Sequence, residues 1–114
     1  MQNNLTAKET AKLVIDNFEQ HFGKKFDGYV IFNLTDTPYT MFSIRFTAYS
    51  YFNVLFNYDR GSFGCCIETG NYGIDLESSQ QWFDKADFKK YCRDIQQEIE
   101  IRIPDKFLRY KGWK

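Results

Sequence analysis

From Ala7 to Phe22 apolar residues recur every three or four positions. Ala7, Ala11, Val14, Ile15, Phe18 and Phe22 fall on one stripe, and Lys8, Lys12, Asp16 and Glu19 lie off it. That spacing predicts an amphipathic helix over about 7–22. Thr6-Ala7-Lys8-Glu9 is a capping box for its start. Gly23 supplies a stop, and Lys24 and Lys25 complement the negative end of the helix dipole.

A period of two replaces this pattern from Tyr29. Val30, Phe32 and Leu34 share one face of a first strand, expected to face the core. Thr35-Asp36-Thr37-Pro38 makes a turn. Phe42, Ile44, Phe46 and Ala48 alternate with Met41, Ser43, Arg45 and Thr47 in a second strand. Phe52, Val54, Phe56 and Tyr58 alternate with Tyr51, Asn53, Leu55 and Asn57 in a third. Asp59-Arg60-Gly61-Ser62 is a hairpin turn into a fourth, with Phe63, Cys65 and Ile67 on the core side. After Gly70-Asn71-Tyr72-Gly73 a short fifth strand is expected at Ile74 to Leu76. Tyr49-Ser50-Tyr51 holds neither Gly nor Asn, so that junction reads either as a turn or as a bend in one long strand.

Phe88, Tyr91, Cys92, Ile95, Ile99 and Ile103 form the stripe of a second helix over about 85–103, which Pro104 ends. The basic tail, 104–114, holds one further turn around Phe107 and Leu108 and otherwise reads as a solvated terminus. The order α-β-β-β-β-(β)-α predicts one α+β domain over 1–114, an antiparallel four- to five-stranded meander packed on N- and C-terminal helices. The uncovered sheet face would then carry Asn33, Ser43, Arg45, Thr47, Asn53, Asn57 and Glu68 beside Met41 and Leu55.

Composition changes this picture in two ways. Aromatic residues make up 19% of the chain, including 8 Tyr, and tyrosine is a common recognition residue. Formal charge is zero, yet residues 26–84 hold seven acids against Arg45 and Arg60, while residues 102–114 hold five bases against Asp105. An acidic middle suits a basic partner. The three cysteines, Cys65, Cys66 and Cys92, form no disulfide framework or CxxC pair and are expected as apolar residues in a reducing cytoplasm. The N-terminus shows no signal-peptide pattern, and no apolar run approaches the ~20 residues of a membrane span.

Catalytic chemistry is sparsely provided. His21 is the only histidine and is expected to be half-buried at the edge of the first helix's stripe. No phosphate-binding glycine loop is present. Asp75 and Glu77 alternate on one strand without a third metal ligand. No catalytic residue, metal or cofactor is therefore expected. Lys85, Lys89 and Lys90 at a helix start match one feature of double-stranded RNA-binding domains. The acidic hairpin at Asp36 opposes a phosphate backbone, so nucleic acid is not the expected partner.

The remaining reading is a protein-binding surface made of Tyr49, Tyr51, Asn53, Asn57, Tyr58, Asp59, Glu68, Tyr72, Asp75, Glu77 and Trp82. In size, single α+β domain and acidic aromatic surface, the chain resembles small bacterial immunity proteins of contact-dependent growth inhibition and related polymorphic toxin systems. The resemblance rests on no motif. It implies a cytoplasmic inhibitor, monomeric or homodimeric, that binds a cognate toxin domain, possibly a basic nuclease. A phage-encoded inhibitor of a host enzyme has the same features. The alternatives are a cone-shaped α+β domain enclosing a small molecule or an active site, and a structural subunit that dimerises through its polar sheet face.

Overall fold

A computed structural model describes residues 5–69, 72–76, 81–82 and 87–113, with residues 72, 81 and 82 described by their backbone only. Its elements are α1 (Ala7–Phe22), a 3-10 turn (Gly23–Lys25), β1 (Phe26–Thr35), β2 (Met41–Ala48), β3 (Phe52–Asp59), β4 (Ser62–Thr69), β5 (Tyr72–Asp75), β6 (Gln81–Trp82), α2 (Phe88–Glu100) and α3 (Asp105–Tyr110). Strands β1 to β5 form an antiparallel meander in chain order, and the two-residue β6 also pairs with β4. The fold is α+β, with α1 and α2 packed on one face of the sheet.

The capping box forms as the sequence predicts. Thr6 Oγ1 accepts from the Glu9 amide at 3.2 Å, and the Thr6 amide donates to Glu9 Oε1 at 3.0 Å. The Ala7 amide, another donor left over at the helix start, donates to Asp36 Oδ1 at 2.8 Å, which ties the β1–β2 loop to α1. Asp87 caps α2 by accepting from the Lys89 and Lys90 amides.

Between α1, α2 and the sheet the core is aromatic. Phe18 meets Phe26, Phe46, Phe56 and Tyr91 at centroid separations of 5.5–6.5 Å. The phase of β2, β3 and β4 is the predicted one, with Phe42, Ile44, Phe46, Val54, Phe56, Phe63, Cys65 and Ile67 buried.

On β1 the phase is the reverse of the expected one. Val30 pairs with Arg45 and Phe32 with Ser43, so both lie on the open face, while Ile31 pairs with Ile44 on the helix side. Register shifts between Asp27 and Val30 and between Phe32 and Thr35 each add one residue to β1. Gly28 (φ 72°) and Asn33 (φ 55°) sit in those shifts, in the left-handed backbone that β-bulges use. Each bulge exchanges inward and outward positions downstream, which simple alternation does not anticipate.

The Tyr49-Ser50-Tyr51 junction is a turn. The Tyr51 amide donates to the Ala48 carbonyl at 3.0 Å, and Tyr49 (φ 60°) and Ser50 (φ 53°) are both left-handed, as in the tight hairpin turns that favour Asn-Gly. Tertiary contacts offset that backbone cost. Tyr49 is fully buried, its ring meets Trp113 edge-on at 5.6 Å, and its hydroxyl donates to Glu100 Oε2 at 2.6 Å. Gln96 Nε2 donates to the same carboxylate oxygen at 3.0 Å, and Gln96 Oε1 lies 2.8 Å from His21 Nε2. A chain of polar contacts thus joins α1, α2 and the β2–β3 turn.

Three corrections concern the C-terminal half and His21. α2 ends at Glu100, because a turn at Ile101 to Ile103 precedes Pro104. The segment after Pro104 is no loose tail: it forms α3, buries Leu108 and places Phe107 against Tyr51 and Trp113 against Tyr49. His21 is exposed in the cleft between α1 and α2.

Candidate functional site

Both long helices pack on one side of the sheet, which leaves the opposite face open among the described residues. Along β2 and β3 it presents Met41, Ser43, Arg45 and Thr47 opposite Asp59, Asn57, Leu55 and Asn53. β4 continues it with Cys66 opposite Leu55 and Glu68 opposite Asn53, and β5 adds Asp75 opposite Cys66. From β1 come Val30 and Phe32.

Its polar groups are held in place by one another. Ser43 Oγ donates to Asn57 Oδ1 at 2.7 Å. Arg45 straps Glu68 through two N–H groups, at 2.8 and 3.4 Å, while its guanidinium lies 4.9 Å from the Phe32 ring centroid. Asp59 accepts from Arg60 at 2.8 Å, and Arg60 covers the Tyr39 ring. Asp27, Asp59, Glu68 and Asp75 bring four carboxylates to the face, against Arg45 on it and Arg60 at its rim. The local charge is therefore negative.

Two shallow depressions, about 340 and 190 Å3, share Asn57 and Asp59 and run into one trough across β2, β3 and β4. Asn33, Met41 and Ser43 line one end, and Ser62, Gly64, Cys66 and Asp75 the other. Along β1, the β1–β2 loop and the start of β2, Val30, Ile31, Leu34, Tyr39 and Met41 are all at least 36% exposed. They lie on both sides of the free edge of β1, with Val30 on the open face and Ile31 on the helix side, and exposed apolar side chains gathered along one sheet edge make it a candidate interaction surface.

Of the expected surface residues, Asn53, Asn57, Asp59, Glu68 and Asp75 come together on this face. Tyr51 is exposed but lies beyond the far end of β3 from Asp59, roughly 25 Å away at the rise of a strand, against Phe52 and Phe107. Tyr49 and Tyr58 do not belong to the surface. Tyr49 is sealed beneath Trp113, and Tyr58 stacks on Phe42 at 4.9 Å in the core. Glu77 and the side chains of Tyr72 and Trp82 lie outside the described residues. Sequence reasoning missed Val30, Leu34 and Tyr39. The available signal was Gly28 inside a strand pattern, which marks a bulge.

Burial pushes the thiols of Cys65 and Cys92 up to about 12, so both stay protonated at neutral pH. Burial likewise raises the Cys66 thiol on the open face, helped by Asp75 and Glu68. Among the described residues, no three His, Cys, Asp or Glu side chains converge as metal ligands, and no helix is long and apolar enough to cross a membrane. Comparison with protein-family models, curated proteins and solved structures finds no match.

Proposed function

We propose that the chain is a protein-binding domain that docks a basic protein partner on its open sheet face and the adjoining β1–β2 hairpin, in the manner of an immunity protein neutralising a toxin domain inside the cell. One observation carries this reading: an open, pre-organised, negatively charged face adjoins exposed apolar side chains on β1 and the β1–β2 hairpin. Apolar anchors such as Val30, Leu34 and Met41 would supply contact area, and the surrounding carboxylates would speed encounter with a cationic surface. The Arg45–Glu68 and Ser43–Asn57 pairs fix their own side chains before binding, which lowers the entropy lost on docking.

The reading expects the gene immediately upstream to encode a toxin domain, and the test is coexpression with that domain, reading growth rescue, followed by calorimetry with the purified domain. Rescue and tight binding are expected, and Asp75→Lys combined with Leu55→Lys should weaken binding at least ~10-fold without unfolding the protein. Absence of rescue would overturn the immunity assignment. Rescue and affinity unchanged in the double variant would move the docking site off this face.

A further inference from the structure

The opposite side of the molecule carries a groove of the other charge. Between α1 and α2 lies a cleft of about 260 Å3, floored by Phe88 and the buried Cys92. α1 contributes Asn17, Gln20 and His21 to its walls, and α2 contributes Lys89 and Arg93. The chain has five arginines, all described. Arg45 and Arg109 hold carboxylates, as does Arg60, and Arg102 donates to the Glu98 carbonyl, whereas Arg93 has no polar partner among the described residues.

Among the described residues, several acids near this cleft are engaged otherwise, including Asp87, which caps α2. Asp94 pairs with Lys90 at 2.8 Å, and Glu100 accepts from both Tyr49 and Gln96. On α1, Glu19 lies on the β1 side, where it acts on Tyr29, and Asp16 falls on the solvent side of the helix by its spacing from the core stripe. Lys89 and Arg93 stand four residues apart on one helix face, a like-charge arrangement that disfavours the empty helix. An anion held between them would relieve that repulsion.

From this combination of apolar floor, amide-bearing wall and two cations without an ion pair among the described residues, we infer that the α1–α2 cleft is a binding site for a small organic anion, an aromatic or similarly flat body bearing a phosphate or carboxylate group. The body would lie on Phe88 and Cys92, and the anionic group would face Lys89 and Arg93 with His21 beside it. The volume admits a ligand at the small end of the usual range of ~300–1,000 Å3. The site is separate from the open sheet face and does not depend on the docking proposed there.

The test is an NMR titration of the full chain with phenyl phosphate, benzoate, neutral benzamide and inorganic phosphate. Saturable shifts are expected at His21, Phe88, Cys92 and Arg93 with phenyl phosphate and with benzoate. Benzamide and inorganic phosphate should each bind at least roughly threefold more weakly than phenyl phosphate, having lost the charge or the apolar body. Lys89→Gln and Arg93→Gln should each weaken phenyl phosphate roughly three- to tenfold, with no fall in melting temperature, since both side chains are exposed and either change relieves their repulsion. Absence of saturable shifts up to ~10 mM, the range of very weak binding, would overturn the site. So would equal affinity for benzamide, or full retention of affinity in the double variant. Inorganic phosphate binding as well as phenyl phosphate would overturn the organic part of the assignment and leave a bare anion site. A toxin domain, if one binds, should not displace phenyl phosphate.

Discussion

On β3, Val54, Phe56 and Tyr58 are at most 1% exposed, while Asn53, Leu55, Asn57 and Asp59, each one residue away, carry the open face. The same strands therefore serve two purposes. The helix-covered side is held by ring-on-ring packing around Phe18, with few polar atoms to satisfy. The open side is held by cross-strand polar pairs that water reaches, which contribute little to stability but fix side-chain positions. If the open face docks a partner as proposed, stability and recognition are separable by residue parity, and substitutions on either side should show it.

The largest effect is expected at Phe56→Ala, which removes a fully buried ring touching Phe18, Phe42 and Phe63. It should cost about 3–5 kcal/mol in chemical denaturation. A loss below about 1 kcal/mol would mean that the two faces are not divided as described. Next is alkaline pH. Burial raises the Tyr29 and Tyr49 hydroxyls above their ordinary 10.0, and the Cys65 and Cys92 thiols from 9.0 to about 12. The unfolded chain therefore releases these protons first. Stability should be flat with respect to these groups below pH 9.0 and fall as pH rises above it, measured by urea unfolding across that range. Tyr49→Phe should cost about 1–2 kcal/mol by leaving Glu100 with Gln96 as its remaining donor, and should reduce the alkaline slope.

Smaller still, Ser50→Gly should raise stability by about 0.5–1 kcal/mol, because glycine occupies a φ of 53° without strain. On the open face, Leu55→Lys with Asp75→Lys should change stability by no more than about 1 kcal/mol in total while altering partner binding. A large loss of stability there would show that this face contributes to the core after all.

How far the sequence revealed this division depends on how regular each element is. α1 and strands β2 to β4 were legible because their periods run unbroken, with a capping box at the start of α1 and Gly61 in the β3–β4 turn, whereas the β2–β3 turn at Tyr49-Ser50 carried no such signal. β1 was not, because two bulges each consumed a residue and turned Val30 and Phe32 outward. Tyr58 shares the phase of Val54 and Phe56, so periodicity placed it inside, and grouping it with surface tyrosines by residue type set that signal aside. Tyr49 sits in a turn, where no period applies. Its burial depends on Trp113, sixty-four positions away, and local pattern cannot report such a contact. The α1–α2 cleft escaped notice for the same reason, since His21 and Arg93 meet only through the packing of two helices.

The paired left-handed residues of β1 also bear on how this molecule coexists with its own copies. A ten-residue border strand with greasy flanks would ordinarily invite a second chain to zip alongside it. With kinks at Gly28 and Asn33, the longest straight run is Tyr29 to Phe32, so an intruding backbone meets matching donors and acceptors over only one short stretch. Sticky side chains are displayed there without a ladder to extend, which favours a partner chosen by shape over indiscriminate stacking.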